Sequence, residues 1–137
     1  MIKRPILVWI IFVWFVYSAT IGLLQYIFII NDPEIMPEIA RAYFYQLNMV
    51  DIIISIVVSW SVALGAIMLF FLRGKSVQVF ATAIIINIIS VIYHIVIKDW
   101  GDVKLNIVQM YSPLVLLLIP IGAYLYARKL AKESKLK

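Results

Sequence analysis

Four long apolar stretches, separated by short polar connections, dominate the pattern of residues along this chain. They run over residues 5–30, 47–72, 76–97 and 105–127. Crossing a hydrocarbon core of about 30 Å takes roughly 20 apolar residues in a helix, so each stretch is long enough to span a bilayer. Within them only Asp51 carries a formal charge, and only His94 could acquire one near neutral pH. The pattern predicts an all-α membrane protein, a four-transmembrane-helix bundle that forms one domain over residues 1–137.

The first connection, residues 33–46, predicts a short interfacial helix lying at the outer membrane surface. Pro33-Glu34 and Pro37-Glu38 are helix-start signals, because proline is tolerated in the first turn and acids favour its positive end. Tyr43-Phe44-Tyr45 is typical of the aromatic belt at a membrane interface. A second helix that begins early and bends near Asn48 is the alternative.

The second connection, Arg73-Gly74-Lys75, is so short that it predicts an antiparallel hairpin of the second and third helices. Gly74 suits the left-handed position that follows many helices. Ser76 is placed to cap the next helix, because its hydroxyl can accept hydrogen bonds from free backbone N–H groups there.

Charge is distributed unevenly between the two sides of the predicted bundle. Nine of the twelve basic residues and one acid lie at the N-terminus, in the second connection and in the tail, for a net +8. The other side holds three basic and six acidic residues, for a net −3. Basic residues in short loops stay cytoplasmic, so both termini are predicted inside, and the tail, residues 128–137, is expected to touch anionic lipid headgroups. The basic balance is thus a topology signal, and no nucleic-acid partner is expected.

Composition excludes several other classes of protein. Hydrophobic residues make up 65% of the chain and its mean hydropathy is +1.05, whereas about 45–50% apolar residues is usual in soluble domains. The first apolar run is about twice as long as the core of a signal peptide, so it predicts a retained helix. The chain has no cysteine, which excludes disulfides and thiolate chemistry. One histidine and one membrane carboxylate are too few for a metal site, and no cofactor is predicted.

Each predicted span has one narrow face of small or polar residues, given a helical advance of about 100° per residue. These residues are Trp14, Ser18, Gly22 and Gln25 on the first span, Asn48, Asp51, Ser55, Ser59 and Ala66 on the second, Ala83, Asn87, Ser90 and His94 on the third, and Gln109, Ser112, Pro113, Pro120 and Ala123 on the fourth. Lipid cannot satisfy polar groups, so we expect these faces to turn inward. Asp51 and His94 then lie at the same depth, about one turn below the outer surface. Together the faces predict a polar cavity that opens outward and narrows inward.

The candidate ligand-binding residues line this predicted cavity: Asp51, His94, Gln25, Gln109, Ser55, Ser90 and Asn87, with Tyr43 and Tyr45 as a lid. A charge inside the membrane is costly unless it is paired or hydrated, and such residues mark functional sites by default. Two structural alternatives stay open. An Asp51–His94 pair could only pin two helices together, and the serines and amides could form interhelical hydrogen bonds worth about 0.6 kcal/mol each. No catalytic residue is identified.

The stretch Ala42-Tyr43-Phe44-Tyr45, together with the end of the second span from Leu64 to Arg73, resembles a group of small bacterial four-helix membrane proteins. Members of this group are similar over most of the chain, with an outer "AYFY" segment, an "LG…LLLR" helix end and a basic C-terminus. Some carry the label "sugar transporter", and the function of the group is uncharacterised. The resemblance implies a four-helix fold in a bacterial cytoplasmic (inner) membrane, and it transfers no catalytic residue.

Three functional hypotheses follow from these observations. The first is a non-enzymatic membrane protein that binds a small or amphiphilic ligand in the outward cavity and takes part in transport. Because four helices are few for a monomeric transporter with two gates, transport would require a homodimer. The second is an accessory or assembly subunit of a larger membrane complex. The third is a membrane-embedded enzyme that uses Asp51 and His94 as an acid–base pair on a lipid-like substrate.

Overall fold

The computed structural model describes residues 4–32, 34, 47–97 and 107–136, and within these ranges all side chains except those of residues 29, 30, 94, 95, 97 and 107–116. Four α-helices follow one another along the chain: α1 (Ile6–Asn31), α2 (Met49–Phe70), α3 (Ser76–Ile97) and α4 (Ile107–Lys132). The prediction of an all-α protein built on four helices is confirmed.

Three of the helices are long and apolar enough to cross a membrane, as judged over the described residues. The qualifying segments are Ile6–Phe28 of α1, all of α2, and Ser76–Tyr93 of α3. A fourth crossing by α4 stays a prediction. The predicted interfacial helix lies outside the described residues except for Glu34, whose backbone N–H donates to Asp32 Oδ1 at 3.3 Å.

The helices pack in sequence order, so that α2 and α3 are central. Over the described residues, α1 packs chiefly on α2, α2 on α3, and α3 on α4, with a smaller contact between α2 and α4. The turn after Phe70 returns the chain at once, which makes α2 and α3 the antiparallel hairpin that the sequence predicts. This hairpin is the frame on which both outer helices are placed.

The buried core lies at one end of the helices, where the basic residues also cluster. Its members are Val8, Val62, Ala66, Leu69, Phe80, Ala83, Ala123, Ala127 and Leu130. Several are alanines, and small residues let helix backbones approach closely in a membrane, where packing rather than hydrophobicity drives association. Phe80 of α3 lies directly on Gly65 of α2: a Cβ at that glycine would be 2.9 Å from the Phe80 ring. This end of the hairpin is therefore closely packed.

The turn between α2 and α3 differs from its prediction. The left-handed residue is Leu72, with φ of 54°, and Gly74 does not have a positive φ. The Arg73 N–H donates to Met68 O and the Leu72 N–H donates to Leu69 O, which is the Schellman arrangement. Leucine replaces the usual glycine here because its side chain is buried, and that burial offsets a conformational cost of about 1–2 kcal/mol.

Ser76 also departs from its predicted role as a cap. It is the first residue of α3, and its hydroxyl is buried with no hydrogen-bond partner among the described residues. A cap must precede the first helical residue to reach the free N–H groups of the first turn. The Ser76 N–H instead donates to Arg73 O at 3.0 Å, so the tight turn itself starts the helix.

The fourth helix is longer than its predicted span. α4 continues to Lys132, through residues that the sequence places in the basic tail. Lysine and arginine are good helix formers, so the end of the apolar run does not end the helix. A second Schellman turn ends it, with Ser134 at φ of 53° and the Lys135 N–H donating to Leu130 O.

Candidate functional site

Asp51 is held at the start of α2 by a reciprocal pair of hydrogen bonds with Asn48. The Asn48 backbone N–H donates to Asp51 Oδ2 at 2.9 Å, and the Asp51 backbone N–H donates to Asn48 Oδ1 at 2.9 Å. This capping box satisfies two N–H groups that the helix cannot pair internally. The carboxylate also lies at the positive end of the helix dipole. Asp51 therefore has a local structural role, although its side chain is fully buried.

The sequence itself carries a signal for this cap. Asparagine is among the preferred N-cap residues, and an acid three positions later completes the capping box. Asn48 and Asp51 have this spacing immediately before an apolar run. Their shared position on one polar face is compatible with a capping role but does not by itself predict it.

Polar residues of α2 and α3 continue below Asp51 along the hairpin. Ser55, one turn deeper on α2, is half-buried, and so are Asn87 and Ser90 on α3. Their partial burial is consistent with faces at or beside the contact between the two helices. Ser59, one turn beyond Ser55, is exposed. At that level the polar face of α2 is therefore no longer partly buried.

Gln25 has a different position from the other described candidates. It is exposed on α1, and so is Ser18, while Trp14 is 55% exposed. Apolar side chains instead lie where α1 meets α2: Trp9 and Phe12 contact the Phe70 ring, and Val8 belongs to the buried core. The expectation that every polar face turns inward is thus not met for α1, because its packing is decided by the aromatic and aliphatic side chains on a neighbouring face.

The remaining candidates lie outside the described residues. Tyr43 and Tyr45 lie in residues 35–46, which are outside the described ranges. For His94 and Gln109 only the helical backbone is described. The Asp51–His94 pair and the tyrosine lid therefore stay predictions. Over the described part of the chain, no group of three or more histidine, cysteine, aspartate or glutamate residues is placed to hold a metal ion.

An arginine–aromatic cluster joins α1 to the end of α2 at the basic side. Arg4 Nε donates to the backbone oxygen of Phe70 at 2.9 Å, and its guanidinium carbon lies 4.4 Å from the centroid of the Phe70 ring. Phe12 stacks on the same ring at 4.3 Å, and Trp9 meets it edge-on at 4.7 Å. The arginine thus compensates a carbonyl at the negative end of α2 and makes a cation–π contact. From the sequence alone, Arg4 is predicted only to contribute to the charge difference that sets topology.

One exposed ion pair follows the end of α4. Lys135 Nζ donates to Glu133 Oε2 at 2.6 Å. This hydrogen bond lowers the pKa of the Glu133 carboxyl and raises the pKa of the Lys135 ammonium. Both groups are on the surface, where such pairs contribute little to stability. The pair therefore has a minor effect on the strongly basic character of this end.

The described chain is an all-α protein with three helices able to cross a membrane, which indicates a membrane location. Its two ends differ: one is basic and closely packed, and the other carries Asp51 and the half-buried polar residues of α2 and α3. No protein-family model, curated protein or solved structure matches this chain.

Proposed function

We propose that this chain is a non-enzymatic, multi-pass membrane protein that binds a small or amphiphilic ligand in the half of the bundle nearest Asp51, as a binding component of transport. The observation that carries the proposal is the difference between the two halves of the α2–α3 hairpin. In one half Phe80 packs closely on Gly65. The other half contains the buried Asp51 carboxylate and the half-buried hydroxyl and amide groups of α2 and α3. This arrangement supports a binding site entered from one side.

The chemistry of the polar half favours a ligand with a cationic or hydrogen-bond-donating head. An aspartate carboxylate accepts hydrogen bonds and attracts positive charge. Ser55 and Asn87 add neutral donors and acceptors on the two helices. The apolar surroundings would suit the hydrophobic part of an amphiphile, since ligand sites are usually apolar with few placed polar groups.

The same proposal includes the orientation of the protein in the membrane. Both termini face the cytoplasm of a bacterial cell, and the polar half faces outward. The clustering of basic residues at the packed end supports this orientation, because such residues are retained on the cytoplasmic side. The basic tail would then lie against the anionic lipid of the inner leaflet.

Cysteine accessibility tests whether the polar half is open to water. The natural chain has no cysteine, so each single variant carries one reactive thiol. Ser55→Cys and Ser90→Cys should react with a membrane-impermeant methanethiosulfonate added from outside. Ala83→Cys, at a fully buried position in the packed half, is the matched control and should not react. Lack of reaction at both serine positions would exclude a water-accessible binding site in this half.

Calorimetry with an amphiphilic cation tests the role of the Asp51 charge. Tetraphenylphosphonium is a suitable probe for protein in nanodiscs, with Asp51→Asn as the variant. Asparagine keeps a side-chain oxygen that can accept from the Asn48 N–H, so the cap is retained while the charge is removed. We expect at least about tenfold weaker binding, since a close charge pair in a partly dry site is worth more than about 1.4 kcal/mol. Equal affinity of both proteins would exclude Asp51 from the site.

An accessory subunit of a larger membrane complex is the second candidate function. The capping box favours it, because that contact gives Asp51 a structural role that needs no ligand. This function predicts that Ser55→Cys and Ser90→Cys are both unreactive and that the chain purifies from native membranes within a larger stoichiometric complex. Reactive cysteines in a chain that purifies without other subunits would exclude it.

A further inference from the structure

Small residues at four-residue spacing, a pattern that allows close helix contact, recur in α1, α2 and α4, and three of these pairs differ in what they contact. The pairs are Ser61/Gly65, Ala123/Ala127 and Ser18/Gly22. The first two are used within the protein: Gly65 contacts the Phe80 ring, and both alanines are buried. The third is not, since a Cβ at Gly22 would have nothing within 4 Å. One helix-packing surface on α1 is thus open.

This open surface continues along α1 as a regular stripe. Its members alternate steps of four and three residues, and all are exposed: Trp14, Ser18, Ile21, Gln25 and Phe28. Such spacing keeps one stripe of a helix facing a partner helix over several turns. We call these five residues, together with Gly22 at their edge, the α1 stripe. It lies beside the face that packs on α2, so a second helix could occupy it without displacing α2.

The α1 stripe also contains polar groups that lipid cannot satisfy. Over the described part of the chain, the side chains of Ser18 and Gln25 make no hydrogen bond. Thr20, on another exposed face of the same helix, differs because its hydroxyl donates to the Val16 backbone oxygen at 2.8 Å. An unsatisfied amide or hydroxyl in hydrocarbon costs free energy that an interhelical hydrogen bond recovers. The α1 stripe therefore requires a polar partner, while the Thr20 face does not.

We propose that the α1 stripe is the interface of a parallel homodimer, in which α1 of one copy packs along α1 of a second. The strong charge difference between the two sides favours one orientation for every copy, so the two helices would run parallel and each residue would meet its counterpart at equal depth. An amide is both donor and acceptor, so two Gln25 side chains can satisfy each other across the two-fold axis. Gly22 leaves the space that two backbones need for close approach. The proposal is independent of the ligand-binding function proposed above.

Disulfide cross-linking in liposomes tests the position of the interface. The full-length Ser18→Cys protein should form a covalent dimer on treatment with copper phenanthroline, because the two thiols would face each other. Thr20→Cys is the matched control, since it lies at nearly the same depth but about 160° away around the helix. It should remain monomeric. Equal cross-linking of the two variants, or none of Ser18→Cys, would overturn the proposal.

A second variant measures the energetic contribution of the close approach. Gly22→Val fills the space at the α1 stripe, and Gly122→Val is its control, because a Cβ at Gly122 on α4 also has nothing within 4 Å. With a fluorophore on Ser134→Cys, single-molecule photobleaching in liposomes gives the dimer fraction as a function of protein density. Gly22→Val should weaken dimerisation by about tenfold or more, since small residues set the distance between the backbones. The control should match the parent protein. Equal weakening by both variants, or a parent protein that stays monomeric, would overturn the proposal.

Discussion

At the scale of single residues, Asp51 shows how a membrane carboxylate can serve its own helix. Its side chain accepts from the Asn48 N–H, and its own N–H donates to Asn48, so both residues stabilise the start of α2. A buried carboxylate is tolerated here because the Asn48 N–H donates to it and the helix dipole favours negative charge at this end of α2. The hydrogen bond from Asn48 thus fixes the orientation of the carboxylate at this end of the hairpin.

Replacing Asn48 should weaken the start of α2 without altering the charge of the protein. We expect Asn48→Ala to lower the free energy of unfolding by about 1 kcal/mol, since it removes the acceptor for the Asp51 N–H. Unfolding in mixed micelles, followed by circular dichroism, gives the measurement. Asn48→Ser should retain most of the stability, because serine is also a good N-cap. Equal loss in the alanine and serine variants would contradict a capping role.

At the scale of elements, the helices differ in how far periodicity predicts their packing. In the α2–α3 hairpin the predicted pairing is present, because so short a connection makes the two helices lie side by side. The turn itself uses Leu72 in place of Gly74 as its left-handed residue, since burial of the leucine offsets the backbone cost. In α1 the packed face is apolar, and the polar face predicted to turn inward lies to one side of it.

A glycine substitution in the hairpin, compared with a control substitution on α4, tests how closely the hairpin is packed. Gly65→Ala should destabilise the protein by about 1–3 kcal/mol, because its new methyl group would overlap the Phe80 ring. Gly122→Ala should be neutral or stabilising by up to about 1 kcal/mol, since it adds helix propensity without a clash. Thermal unfolding of both variants in the same detergent compares them. Similar stability of the two variants would show that the Phe80 contact is not tight.

At the scale of the whole molecule, the two ends of the bundle differ both in charge and in how closely the helices pack. The core residues lie at the end where Arg4, Arg73 and the basic C-terminal turns of α4 are found. Asp51 lies at the opposite end of α2. Basic residues determine orientation during insertion, whereas the small side chains determine where helices approach closely. The two properties together give the bundle a closely packed, basic end and a polar end.

Labelling of intact cells tests the proposed orientation. Glu34→Cys should react with a membrane-impermeant maleimide from outside, and Ser134→Cys should react only after the cells are permeabilised. The reason is the charge asymmetry, which favours a cytoplasmic position for the Ser134 side. Labelling of Ser134→Cys in intact cells, with protection of Glu34→Cys, would invert the topology and the direction of the proposed site.

Sequence alone determined the helices, their approximate ends and the difference in charge between the two sides. Apolar length and local charge are properties of each segment, so no knowledge of its neighbours is needed to see them. The capping box of Asn48 and Asp51 was equally local and could have been predicted. Only the tertiary structure decided which face of α1 packs on α2, that Arg4 contacts Phe70, and that Leu72 rather than Gly74 forms the turn. These outcomes depend on which surfaces a neighbouring helix offers, and helical periodicity does not carry that information.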